Sequence, residues 1–198
     1  MPNWCDVSYV FEGPKDEIYQ FQKNLIKYTS KANWRLSNEF GENWEGNVSF
    51  GFGFADPEAA FSCYGEIETI YQIQEGDGFD WFSVDCFDAW EPNHELFDSI
   101  LEKFYPSITY ELMAEEPGCE VFINTDKTGK YFPYRYRIVL DRGNDEELIE
   151  KRCENIEKVN AFLASLTSQK THLKNLDQVE DYLNEKFEWG HIWEYTSE

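Results

Sequence analysis

The side chains able to carry chemistry in this chain are three histidines, five cysteines and thirty-nine carboxylates. A zinc site needs three or four His, Cys or carboxylate ligands converging on one point. His94, His172 and His191 are far apart and share no ligand-spaced motif, and Cys5, Cys63, Cys86, Cys119 and Cys153 contain no C-x-x-C pair. No Walker-type G-x-x-x-x-G-K-[ST] run is present. Gly51-Phe52-Gly53 lies inside an alternating, strand-like stretch, the wrong context for a phosphate loop. A Cys–His nucleophile pair forms only in space, and no local signature singles one out. Carboxylate pairs such as Glu115-Glu116 or Asp85 with Asp88 have the right groups for acid–base work or for Mg²⁺ and Ca²⁺. Acids are too abundant here for pairing to select any of them, and there is no D-x-D-x-D-G calcium loop. The sequence therefore points to no catalytic residue, no metal ligand set and no cofactor, and we read the chain as a non-enzyme.

Charge carries more information. Residues 36–102 contain sixteen Asp and Glu and no Lys or Arg, whereas residues 1–35 net +1 and residues 103–198 net −7, within a total of −22. Self-repulsion on this scale works against a compact state, and solubility needs only a modest net charge. A local excess of this size fits a partner. At 18% aromatic residues the chain is not a disordered acidic tail, because such tails lack aromatics. An anionic exterior disfavours direct contact with nucleic acid or acidic lipid. No run of 18 apolar residues is present and the N-terminus has no signal-peptide pattern. The five cysteines, odd in number, read as reduced buried thiols, and the expected location is the cytoplasm of a bacterial host.

The elements that must position these groups follow from periodicity. A β-rich run at 7–11 ends at Gly13-Pro14, and 16–28 carries Ile18, Phe21, Leu25 and Tyr28 at helical spacing. Residues 47–54 alternate and predict a strand; 66–74 and 79–88 predict a hairpin about Glu75-Gly76-Asp77-Gly78. A helix is expected over 94–104, then strands over 108–114 and 120–124, with 131–140 closing a further hairpin. From 145 the period changes to about 3.6, with Leu148, Ile149, Ile156, Val159, Leu163 and Leu166 as one stripe and a second helix at 175–187. The expected architecture is α+β, a ferredoxin-like and mostly antiparallel sheet with helices on one face over 1–140, followed by a C-terminal helical hairpin and tail over 145–198.

Particular residues also carry a resemblance. The opening Met1-Pro2-Asn3-Trp4-Cys5, the run from Phe82 through Asp88-Ala89-Trp90-Glu91-Pro92, the stretch Phe104-Tyr105-Pro106-Ser107-Ile108 and the turn Glu115-Glu116-Pro117-Gly118 resemble the YubB ferredoxin-like family of phage and plasmid proteins. The resemblance spans 1–11 and 79–124; the family's W-G-T-K-W segment has no counterpart before Phe79, where 72–80 is acidic instead. It implies a ferredoxin-like fold and a mobile-element origin, and it carries no catalytic residue.

On the predicted hairpin, Glu66 and Glu68 sit two apart on one strand face, roughly 7 Å from each other, with spacing like that of phosphates along a nucleic-acid strand. Glu75, Asp77, Asp80, Asp85 and Asp88 extend the set, and Trp44, in the polar loop Gly41-Glu42-Asn43-Trp44-Glu45-Gly46, is the expected exposed aromatic anchor. The expected function is an acidic phage or plasmid protein that binds and inhibits a host nucleic-acid-handling defence protein, such as a CRISPR effector, by DNA or RNA mimicry. Its partner would be a host protein with a basic nucleic-acid-binding surface. A non-mimicking interaction or scaffold module, or a small enzyme with an unrecognised site, are the alternative classes.

Overall fold

A computed structural model describes residues 3–30, 43–54, 61–143 and 148–197, and the chain divides into two compact units, Met1–Val121 and Phe122–Glu198. The first unit runs β1 (Trp4–Gly13), α1 (Lys15–Thr29), α2 (Glu45–Gly51), β2 (Glu66–Ile70), β3 (Asp80–Ala89), α3 (His94–Phe104) and β4 (Thr109–Glu116). Its antiparallel sheet has the order β2-β3-β1-β4, and β5 (Val121–Asn124) follows in the chain. Among the described residues no helix is long and apolar enough to cross a membrane.

β3 alternates buried and half-buried residues along its whole length. Its register with β1 sets Cys5 opposite Asp88, Val7 opposite Cys86, Tyr9 opposite Val84 and Phe11 opposite Phe82. Paired residues share a face, so these eight side chains form one inward row. α1 delivers Ile18, Phe21 and Leu25 to the core, and α3 delivers Leu96, Phe97, Ile100 and Leu101. Phe11 is the hub, with ring centroids 5.0 Å from Phe21, 5.2 Å from Phe97 and 5.5 Å from Phe82. Contacts in this range are favourable beyond their area burial.

Three sequence expectations are corrected. Residues 47–54 do not form a strand; 45–51 are the helix α2. Trp44, Val48 and Phe52 recur four apart and are all buried, so the same residues that alternate also make a helical stripe. The glycines permit close packing, because a Cβ at Gly46 would collide with the Trp44 ring and one at Gly51 with the Tyr28 ring. Leu148 and Ile149 do not start a helix. Ile149 opens β7 (Ile149–Cys153), and the helix begins only after Asn155, whose side chain accepts a hydrogen bond from the Lys158 amide at 3.0 Å.

The third correction is the C-terminal hairpin. The second unit is a three-stranded antiparallel sheet, order β7-β6-β8, packed with the helices α4 (Ile156–Thr167) and α5 (Leu176–Lys186). β6 (Tyr136–Asp141) pairs with β7 and with β8 (Trp189–Glu194). Ile138 and Leu140 of β6 join Val159, Leu163, Val179, Leu183 and Ile192 in one core. The Trp189–Glu194 segment is thus a strand, and Trp193 stacks on Phe122 at 4.8 Å.

The loop ahead of β6 is built on Asp126. Its carboxylate accepts from the Thr128 amide (3.0 Å), the Thr128 hydroxyl (2.7 Å), and the amides of Gly129 (2.9 Å), Tyr131 (2.6 Å) and Phe132 (3.0 Å). Arg135 donates to the Asp126 carbonyl at 2.6 Å. Burial pushes this carboxyl up, but the amides of Phe132 and Tyr131 and the Thr128 hydroxyl outweigh it and hold the group well below the usual carboxylate range. A depressed carboxyl stabilises the fold above its unfolded value near 3.8 and loses that contribution as pH falls below it. Asp126→Asn is expected to lower stability at pH 7 by about 2 kcal/mol, and urea titrations should show the gap to wild type closing below about pH 4.

Candidate functional site

β2 is the edge strand of the first sheet. Glu66 pairs with Phe87 and Thr69 with Asp85, with an irregularity between Ile67 and Thr69 that leaves Glu68 exposed on the rim. Glu66 and Asp85 therefore share the sheet face opposite the helices. Asp85 is fixed there by two hydroxyls: Ser8 donates to Oδ1 and Tyr71 to Oδ2, each at 2.7 Å. The Asp85 carboxylate in turn pushes the Tyr71 phenol up, by its hydrogen bond first and its charge second. Glu75 and Asp77 are exposed on the β2–β3 connection. Glu75 meets Lys15 at 3.0 Å, both side chains being solvent-exposed, so water and salt screen the pair strongly.

Three of the expected interface residues lie inside instead. Trp44 is 1% exposed, with its indole N–H donating to the Cys63 carbonyl at 2.7 Å, so it is a core residue and not an anchor. Asp80 is 6% exposed and accepts from the Gly76 amide at 3.4 Å, closing the hairpin. Asp88 is 1% exposed because β3's alternation turns it to the helix side. Sequence reasoning also missed acids on the outer face: Asp6, Glu12 and Glu111, whose registers run Asp6 to Phe87, Glu12 to Trp81 and Glu111 to Val10. They belong to β1 and β4, outside the cation-free run. The signal was the alternation of β1, which sends Asp6, Ser8 and Glu12 out when Cys5, Val7, Tyr9 and Phe11 go in. Glu116, read as one of an acid pair, caps the turn Pro117–Cys119 through the amides of Gly118 and Cys119.

Beneath the sheet the structure assembles a second group of residues. α2 is tied to the sheet through the Glu45 amide, which donates to the Gly65 carbonyl at 3.1 Å. This brings the Glu45 carboxylate to Cys86 and Asp88, and donor atoms of all three lie within 4.8 Å of one another. Asn93, which precedes α3, bridges the acids: its backbone N–H donates to Asp88 Oδ2 at 2.8 Å and its side-chain amide to Glu45 Oε2 at 2.7 Å. Glu45 Oε1, Asp88 Oδ1 and the Tyr9 hydroxyl are buried with no hydrogen-bond partner among the described residues.

Burial pushes the Glu45 carboxyl up, with the Asp88 charge adding to it, and burial likewise raises Asp88. The two carboxyls face each other closely enough for one proton to bridge them. The Cys86 thiol is pushed up by burial and then by Asp88, and Cys5, opposite Asp88 in the β1–β3 register, is pushed up to about 12 by the same two causes. Neither thiol is poised as a free nucleophile. The group was illegible because Glu45 sits 41 residues before Cys86, in a stretch that reads as a polar loop.

Gly65 closes over this group, and a Cβ there would collide with Asp88 Oδ1 and the Phe87 carbonyl. Gly65→Ala is expected to destabilise the fold by about 2 kcal/mol, read as a thermal midpoint lowered by several degrees. No protein-family model, curated protein or solved structure matches the chain.

Proposed function

We propose that this chain is a non-enzymatic protein of mobile-element origin that binds a basic, nucleic-acid-handling host protein, such as a CRISPR effector, and inhibits it by presenting carboxylates where phosphates would lie. The observation that carries this reading is the edge formed by β2 and its connection to β3. Glu66, Glu68, Glu75, Asp77 and Asp85 line it, in a stretch of 67 residues with no Lys or Arg. A rim drawn from a segment without cations carries a negative potential that steers it toward Lys- and Arg-lined clefts. Asp80, Asp88 and Trp44 take no part, being interior.

The fold adds support. The succession β1-α1-α2-β2-β3-α3-β4 with antiparallel strand order β2-β3-β1-β4 is compatible with a split βαβ arrangement carrying one added helix. That agreement supports the ferredoxin-like reading and, through it, the resemblance to the YubB family.

The test is a charge reversal of Glu66, Glu68, Glu75 and Asp77 to Lys, all exposed or half-buried positions that the fold tolerates. Wild-type protein immobilised against bacterial host lysate should retain a partner at low salt and release it at high salt or to excess duplex DNA. The reversed variant should bind that partner at least about tenfold more weakly. Retention that ignores salt, DNA and charge reversal alike would sink the mimicry reading and shift the interface to the exposed aromatics Tyr64, Phe79 and Trp90.

A further inference from the structure

The geometry points to a buried divalent-metal site formed by Glu45, Cys86 and Asp88, with zinc as the ion it suits. Three observations converge on it. The first is the donor set. A sulfur and two carboxylate oxygens, drawn from an adjacent helix start and one face of a strand, lie within 4.8 Å of one another. Zinc binds sulfur at about 2.3 Å and carboxylate oxygen at about 2.0–2.2 Å, so donors around one ion sit about 3–4 Å apart. Donor atoms within 4.8 Å of one another are close to that range.

The second observation is what surrounds the donors. Asn93 donates to one oxygen of each acid, Oδ2 of Asp88 and Oε2 of Glu45. The remaining oxygens, Oδ1 and Oε1, take no donor from any other described residue, and the two carboxyls face each other. This is the pattern of ligating carboxylates, where one oxygen takes the metal and the other is oriented by an outer donor. The third is Tyr9. It is wholly buried, its hydroxyl has no partner among the described residues, and Asp88, Cys86 and Glu45 all act on it electrostatically. The register sets Tyr9 opposite Val84, the residue before Cys86 on the inward face of β3, and a phenol hydroxyl is a donor that a ligating sulfur or a water would accept.

The chemistry selects the ion. Mg²⁺ and Ca²⁺ take oxygen ligands only, and a thiolate among carboxylates favours zinc or its Co²⁺ and Cd²⁺ surrogates. Two buried carboxylates without a counter-charge are costly. A bridging proton relieves that pair alone, whereas a metal also uses the Cys86 sulfur and gives the Tyr9 hydroxyl an acceptor. Binding converts the Cys86 thiol to thiolate and releases its proton, together with any proton shared by the acids, to solvent. The ion would fasten α2 to the sheet. The inference is independent of the acidic edge, whose exposed residues it does not use.

The test uses the full chain, stripped with a chelator and titrated with Co²⁺. One equivalent should give a near-ultraviolet thiolate-to-cobalt charge-transfer band, displaced by Zn²⁺, and Zn²⁺ should raise the thermal midpoint of the stripped protein by several degrees. Cys86→Ser should abolish the band, and Tyr9→Phe should weaken Zn²⁺ binding while leaving metal-free stability unchanged or higher. A stripped wild-type chain with no band and no Zn²⁺-dependent midpoint would overturn the site and leave the acids held by a shared proton. A band surviving in Cys86→Ser would overturn it equally, by moving the sulfur ligand elsewhere.

Discussion

The antiparallel register of β1 against β3 governs where every chemically interesting side chain in the first unit ends up. β1 is flanked by β3 on one side and β4 on the other, so its pleat is fixed from both edges. A slip of one residue would turn Cys5, Val7, Tyr9 and Phe11 outward and carry Asp6, Ser8 and Glu12 into the core, because side chains alternate faces with a period of two. What forbids that slip is the aromatic packing around Phe11, which meets Phe21, Phe82, Phe97 and Tyr110. The apolar contacts set the register, and the register then sorts the acids: Asp85 to the outer face, Asp80 and Asp88 to the inner one.

The two populations of carboxylate live under different physics. On the outer face and rim, water screens each charge, and an exposed ion pair such as that of Glu75 with Lys15 contributes little. Such acids act collectively, through the field they create. Inside, Glu45 and Asp88 lie beside each other with only Asn93 donating to them among the bonds described above. There a single proton or cation changes the local free energy more than any rim contact can, since the low dielectric magnifies each charge.

Much of this was legible where one period dominated. The strict alternation from Asp80 to Ala89 and the spacing of Ile18, Phe21 and Leu25 gave β3 and α1 directly. α2 was not legible, because Val48, Phe50, Phe52 and Phe54 alternate while Trp44, Val48 and Phe52 recur at four. Both periods were present, and the tertiary fit of Gly46 against Trp44 and Gly51 against Tyr28 decided between them. Glu45, at the start of that helix, reads in sequence as part of the polar loop 41–46, and this hid the inner cluster. In the second unit the apolar stripe was correct for Val159 and Leu163 but included Ile149, whose partner is Leu140 across β6. No local pattern distinguishes a strand that pairs backwards in sequence from the first turn of the helix that follows it.

The absence of Lys and Arg between 36 and 102 has consequences on both sides of the sheet. On the rim it leaves the carboxylates of β2 and its hairpin without cations from their own segment, so their field is directed at whatever approaches. In the interior it means that Glu45 and Asp88 cannot draw a counter-charge from the segment that supplies them. A lysine at Val84, inward and between Cys86 and Phe82 on the same strand face, would answer that need and would also blunt the rim behind it. The sequence places an apolar residue there instead. Among the bonds described above the pair receives only the Asn93 donors, so a proton or another cation reaching it would act on an interior that its own segment leaves without a fixed positive charge.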